Sequence, residues 1–140
     1  MKQSIIIDTS ALIAYLNEKD TFHQWAKKQF INAEYPLLTC EAVISETWFL
    51  LNKRTFNPNV IMQMLKEGIF AIPLHLIKEK ITLAELMNKY QDVPMSIADA
   101  SLVRLSEYYP NSKILTLDQD FLIYRRNKNQ PIPVIMPNIQ

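Results

Sequence analysis

The segment Ser4–Leu16 constrains the fold more than any other part of the chain. It opens with Ile5-Ile6-Ile7, a continuous β-branched run typical of a strand buried on both faces. Asp8-Thr9-Ser10 ends this run, and the apolar residues that follow have helical spacing. Asp8 therefore lies where a central parallel strand passes into a helix, at the edge where open α/β sheets bind ligands. Asp8, Thr9 and Ser10 are all candidate caps for that helix, and if Asp8 serves a ligand site we expect Thr9 or Ser10 alone to cap it.

Short apolar runs alternate with helical patterns along the rest of the chain. Further strands are predicted at 37–40, 69–72, 113–117 and 133–135, and helices at 41–54, 60–66, 76–90, 96–108 and 121–125. Thr21 and Gln24 resemble a capping box at the start of one more helix. Strands separated by helices indicate a parallel sheet sandwiched between helical layers. Without a repeat or linker, 1–140 is interpreted as a single α/β domain with about four or five strands.

Composition excludes several classes of site. A single glycine excludes glycine-rich phosphate loops, and a single cysteine excludes an internal disulfide or a cysteine-rich zinc site. No apolar run approaches the length that spans a bilayer, and no secretory signal opens the chain, so we expect a cytoplasmic protein. A net charge of +1 is too small for binding nucleic acid by bulk charge.

Carboxylates occupy unusual places in this pattern. Asp118 repeats the geometry of Asp8, because it follows an aliphatic strand and precedes a short helix. Glu46 follows Val43 by three residues and precedes Leu50 by four, which places it on or beside an apolar stripe. Asp99 lies in the first turn of its helix, again beside apolar residues.

Each of these acids also has an ordinary structural explanation. Asp8 could be a helix cap, and Glu46 could reach water from the rim of its stripe. Ser96 and Asp99 have the spacing of a capping box, although capping does not prevent a carboxylate from pointing at the sheet edge. Asp92 and Asp120 rank lower, because either is a natural turn or cap residue.

Together the acids favour a metal site. Carboxylates packed side by side repel one another and take up protons more readily. A hard divalent cation with oxygen ligands, Mg²⁺ or Mn²⁺, resolves the repulsion. Mg²⁺ keeps waters and contacts substrate phosphates, so the pattern indicates phosphoryl-ester chemistry.

The same residues resemble the PIN domain family, in particular the VapC-type ribonuclease toxins and their relatives. The resemblance rests on segments 5–12, 42–46, 90–102 and 114–121, which contain IIIDTSAL, AVISE, YQDVPMSIADASL and ILTLDQDF. Their order and spacing cover most of the chain.

The resemblance implies a Mg²⁺- or Mn²⁺-dependent endoribonuclease whose catalytic and metal-binding acids are Asp8, Glu46, Asp99 and Asp118. Thr116 falls where the family often has a Ser or Thr near the site, and Asp92 matches an acid that this subgroup has before the proline. It also implies a homodimer and, for a toxin, inhibition by a small antitoxin protein. An alternative is a catalytically idle PIN-like module that binds RNA or protein.

Basic residues are candidate contacts for RNA phosphates, although a solvated surface charge is the more usual explanation for any one of them. They are Lys53, Arg54, Arg104, Arg125 and Arg126.

Overall fold

A parallel sheet forms the centre of the molecule. The computed structural model describes residues 3–54 and 56–138, and its strands are β1 (Ser4–Ile7), β2 (Leu37–Leu38), β3 (Phe70–Ala71), β4 (Ser112–Leu115), β5 (Arg125–Arg126), β6 (Gln130–Pro131) and β7 (Val134–Ile135). Within these residues, five strands make one parallel sheet in the order β3-β2-β1-β4-β7. The predicted five strands are therefore confirmed. An antiparallel pair, β5 and β6, lies outside this sheet.

Helices flank the sheet. They are α1 (Thr9–Leu16), α2 (His23–Asn32), α3 (Glu41–Lys53), α4 (Asn59–Lys66), α5 (Lys80–Lys89) and α6 (Ile97–Tyr108), with 3₁₀ turns at Leu76–Glu79 and Gln119–Leu122. The α/β sandwich predicted from the alternating pattern is confirmed. Within the described residues, no helix is both long enough and apolar enough to cross a membrane.

The centre of the sheet explains its β-branched sequence. Ile6, Ile7 and Ile114 are completely buried, because β1 and β4 are neighbours inside the sheet and α6 packs against both. Burying a side chain of this size stabilises the fold by about 1.5–3 kcal/mol. The parallel register pairs Ile7 with Leu115, so the residues that follow both strands emerge at the same edge.

Two local predictions are wrong. Thr21 and Gln24 form no capping box: α2 begins at His23, and the preceding turn is closed by Asp20, whose carboxylate accepts a hydrogen bond from the Phe22 N–H. The helix predicted at 121–125 is instead the 3₁₀ turn Gln119–Leu122, and Arg125 already belongs to β5.

Candidate active site

The predicted acids surround one cavity at the carboxyl edge of the sheet. Its volume is about 330 Å³, and Asp8, Glu46, Asp99 and Asp118 all line it. Thr9 and Ser10 contribute to the same wall. Between the acids lie apolar side chains of α1, α3, α6 and the segment after β4, namely Ile13, Val43, Leu50, Ala98, Leu102 and Leu117.

Asp8 is the most deeply buried of these acids, with 6% of its surface exposed. Its backbone N–H donates to the Leu115 carbonyl at 3.3 Å, which extends the pairing of β1 with β4 beyond the last strand residue. Its Oδ1 accepts hydrogen bonds from Ala11 N–H at 3.0 Å and Ser10 Oγ at 2.7 Å. Asp8 is therefore the N-cap of α1, and the expectation that Thr9 or Ser10 alone would cap this helix is wrong.

Hydroxyl groups tie Asp8 to the segment that carries Asp118. The buried Thr116 hydroxyl donates to Asp8 Oδ2 and accepts from the Asp118 N–H at 2.8 Å. The Ser10 hydroxyl donates to Asp8 and accepts from the Leu117 N–H at 2.9 Å. Thr116 and Ser10 thus hold the end of β1 and the end of β4 at a fixed distance. Both hydroxyls contact Asp8, which is the position expected of auxiliary residues.

Asp99 lies in the first turn of α6, where a complete capping box holds it. Its N–H donates to Ser96 Oγ at 3.0 Å, and its Oδ2 accepts from the Ser96 N–H at 3.1 Å. The predicted capping box is confirmed, and the same carboxylate lines the cavity. Capping and a place in the site are compatible here because the first turn of α6 faces the sheet edge.

Glu46 is exposed at the rim of the cavity, so the interpretation of a carboxylate reaching water from its apolar stripe is the right one. Successive turns of α3 line the cavity with Val43, Glu46 and Leu50, and Arg54 follows directly after the helix. These positions are three and four residues apart, and such residues share one face of a helix.

Two of the lower-ranked acids lie outside the cavity lining. Asp92 is exposed in the turn before α6, and Asp120 lies in the 3₁₀ turn that follows Asp118. The Asp120 N–H donates to Asp118 Oδ1 at 2.9 Å, so its backbone orients a lining acid.

Burial and mutual repulsion change the proton affinity of two acids. Burial raises the pKa of Asp8 from 3.8 to about 6, the hydrogen bonds from Thr116, Ala11 and Ser10 oppose this, and the negative charge of Asp118 adds to it. The pKa of Asp99 is raised by burial and by Asp118 and Glu46, while bonds from Ser96 lower it. These acids form an electrostatically coupled cluster.

Arginines divide into one cavity residue and several structural ones. Arg54 lines the cavity. Arg104 instead pairs with Glu79 at 2.8 Å and Glu107 at 2.9 Å. Arg125 and Arg126 donate to backbone carbonyls, among them those of Leu122 and Ser106. The structure therefore gives no support to a role in phosphate contact for Arg104, Arg125 and Arg126.

Sequence reasoning missed Asp20 and Tyr124. Asp20 lines the cavity from the turn between α1 and α2, where no strand or helix pattern indicates its position. Tyr124 is buried behind the cavity wall, and its hydroxyl is 3.4 Å from Asp99 Oδ2. Burial and nearby carboxylates, Asp99 foremost, raise the pKa of Tyr124, which keeps the phenol protonated and able to donate. Arg54 follows Leu50 by four residues, and this spacing is the sequence signal that places it on the same stripe of α3 as Glu46.

Comparison with known proteins identifies the family. The family model of the PIN domain matches residues 5–127. The chain belongs to the PIN domain family. Ribonuclease VapC26 of Mycobacterium tuberculosis is 30% identical over 118 residues, which cover 82% of this chain and 87% of that protein. The crystal structure of VapC20 from the same organism, a toxin that cleaves the sarcin–ricin loop, has a TM-score of 0.76 at 22% identity and covers 91% of this chain and all of that one. The predicted family and the predicted PIN-like fold are confirmed.

The donor chemistry of this PIN domain suits a hard cation. The lining acids offer oxygen ligands only, and both oxygens of buried Asp8 accept hydrogen bonds from neutral groups. Within the described residues, however, no three acidic, histidine or cysteine side chains are close enough together to hold a metal ion. Such a spread of carboxylates is compatible with a hard divalent cation that is bound by one or two carboxylates, with waters and substrate phosphate completing its shell.

Proposed function

We propose that this PIN domain, comprising residues 1–140, is a Mg²⁺- or Mn²⁺-dependent endoribonuclease and the toxin of a toxin–antitoxin pair. The observation that carries the proposal is the convergence of Asp8, Glu46, Asp99 and Asp118 on one cavity. They come from four different parts of the chain, and two of them have raised pKa values, so the arrangement keeps charge together at a cost in stability. Membership of the family and the likeness to ribonuclease VapC26 supply the reaction class.

Asp8, Asp99 and Asp118 are assigned to metal binding, with Glu46 completing the set from the exposed rim. A bound divalent ion would lower the pKa of a water and neutralise charge on the phosphate. Thr116 and Ser10 hold Asp8 in place, while Asp120 orients Asp118 through its backbone N–H. Arg54 would attract the RNA phosphates, since it lines the same cavity.

A catalytically idle module is the alternative, and the acids argue against it. A surface that only binds RNA gains nothing from carboxylates, because RNA phosphates are repelled by them. Burying Asp8 with 6% exposure beside Asp118 costs such a module stability, and an uncharged Ser or Thr could cap α1 without that cost.

Cleavage of RNA by purified protein tests the proposal. We expect cleavage with Mg²⁺ or Mn²⁺, none with EDTA, and a loss of at least about a hundred-fold in Asp99→Asn and Glu46→Gln, because a charged ligand becomes neutral in each. Glu85→Gln is the matched control, since it makes the same charge change at an exposed residue of α5 outside the cavity lining. Equal cleavage by Asp99→Asn and wild type would refute the nuclease assignment.

The toxin role is tested in cells with the same variants. Expression of the wild type should arrest growth, whereas Asp99→Asn should not, and co-expression of the protein encoded beside it should restore growth. Normal growth with an active enzyme would indicate a PIN nuclease that is not a toxin. The small antitoxin partner and the homodimer are predictions from the family resemblance.

A further inference from the structure

Behind the Asp99 wall of the cavity lies a buried phenol. Tyr124 has no exposed surface, and its hydroxyl lies 3.4 Å from Asp99 Oδ2 and 3.5 Å from the Val93 carbonyl oxygen. A phenol carries a single proton, so a donor shared between two acceptors makes two long contacts. Tyr124 lies outside the cavity lining, and its hydroxyl reaches the site through Asp99.

The ring of Tyr124 is held on two sides by aromatic neighbours. Tyr90 packs edge-on with ring centroids 5.1 Å apart, and Phe121 does the same at 5.3 Å. The Tyr90 hydroxyl in turn accepts a hydrogen bond from the Arg125 N–H at 2.9 Å. These contacts and its complete burial confine the Tyr124 ring, so the packing holds its hydroxyl in position.

Tyr124 also connects two walls of the cavity. Its backbone N–H donates to the Asp120 carbonyl at 3.0 Å, and Asp120 in turn orients Asp118. Its hydroxyl reaches Asp99 and the turn before α6. The segment after β4 and the first turn of α6 are thereby joined directly behind the acids that each contributes.

We propose that Tyr124 is a positioning residue for Asp99, an inference that rests on the proposed metal-dependent nuclease. Ser96 N–H at 3.1 Å and the Tyr124 hydroxyl at 3.4 Å both donate to the same oxygen, Asp99 Oδ2. They anchor that oxygen and leave Oδ1 for a cation. Groups that hydrogen-bond a metal-ligating carboxylate orient it, and their removal commonly weakens metal binding or activity about 10–100-fold.

Titration calorimetry with Mn²⁺ alone tests this role on Tyr124→Phe, which removes one oxygen and keeps the ring. Tyr90→Phe is the matched control, because it also removes a hydroxyl from this aromatic cluster. The Tyr90 hydroxyl contacts a backbone N–H and not an acid. We expect the Mn²⁺ Kd to rise about ten-fold in Tyr124→Phe and less than about two-fold in Tyr90→Phe. In RNA cleavage at fixed Mn²⁺, kcat should fall in Tyr124→Phe while KM for RNA stays unchanged.

The outcomes separate this inference from the proposed function. If wild type binds Mn²⁺ and Asp99→Asn does not, a wild-type Kd in Tyr124→Phe overturns the positioning role alone. An equal loss in both Tyr→Phe variants, or failure of Tyr124→Phe to fold in EDTA, overturns it as well, because the hydroxyl would then serve the packing of the cluster. Absence of Mn²⁺ binding in wild type would overturn the metal site and the inference together.

Discussion

At the scale of single residues, Asp8 combines a structural task with a predicted chemical one. It caps α1 through Ala11 N–H and lines the acidic cavity with the same carboxylate. The strand-to-helix pattern is sufficient to place Asp8 at the sheet edge. The pattern does not separate capping from ligation, because a carboxylate oxygen at this point of the chain can serve either purpose.

Glu46 shows a limit of helical spacing at the same scale. Residues at i, i+3 and i+4 share a direction around the helix axis, which correctly places Glu46 between Val43 and Leu50. Spacing does not give depth, and the Glu46 side chain is exposed. Tyr124 and Asp20 escape prediction for a related reason: their contacts with the site arise from packing and from a turn, neither of which has a periodic signal.

The raised pKa of Asp8 predicts an unusual pH dependence of stability. Because the pKa rises from 3.8 to about 6 on folding, the native state binds more protons than the unfolded state between these values. The free energy of unfolding therefore decreases as pH rises from about 4 to about 6, by up to roughly 3 kcal/mol from this residue. Asp8→Asn lacks this ionisation, so the free energy of unfolding of the variant should increase relative to that of wild type as pH rises from about 4 to about 6.

Urea unfolding in EDTA at pH 4, 5, 6 and 7 measures this difference. Asp92→Asn is the control, since it removes a carboxylate that is exposed to water. A stability difference between Asp8→Asn and wild type that stays constant with pH would contradict the assigned cost of burying Asp8.

At the scale of elements, two similar cap motifs had different outcomes. Ser96 and Asp99 form the predicted capping box of α6, whereas Thr21 and Gln24 do not cap α2. Asp20 explains the difference, because its carboxylate takes the Phe22 N–H and closes the turn before the helix begins. A cap motif indicates which residues are able to cap a helix. Before α2, however, the neighbouring Asp20 forms the hydrogen bond that closes the turn.

The two motifs predict different costs of truncation. Ser96→Ala removes the acceptor of the Asp99 N–H and should lower the free energy of unfolding by about 1 kcal/mol. Thr21→Ala, at an exposed residue of the turn before α2, should change it by less than about 0.5 kcal/mol. RNA cleavage by Ser96→Ala should stay near wild type in folded protein, because the backbone N–H of residue 96 still holds Asp99 Oδ2. Equal unfolding free energies for both variants would contradict the observed capping.

At the scale of the whole molecule, sheet order decides which acids meet. The alternation of strands and helices is enough to predict a parallel sheet, and it places the carboxyl ends of all strands at one edge. It does not give the order β3-β2-β1-β4-β7, which makes β1 and β4 neighbours although most of the chain separates them. That adjacency brings Asp8 within reach of Thr116 and, through it, of Asp118.

An acidic cluster assembled from distant segments couples metal binding to the stability of the entire fold. The unfolded chain has no such site, so a cation that binds the native state stabilises it by about 2.7 kcal/mol at a hundred times its Kd. For a chain of 140 residues this corresponds to a rise in Tm of roughly 10 °C. We expect differential scanning calorimetry to show this rise with Mn²⁺ in wild type and only a small part of it in Asp118→Asn. In EDTA, Asp118→Asn should melt at or above the wild-type temperature, because its neutral side chain no longer repels Asp8. Glu85→Gln should respond to Mn²⁺ as wild type does. A wild-type response in Asp118→Asn would show that the ion stabilises the protein from elsewhere on its surface, and that the strand ends of β1 and β4 do not share a metal.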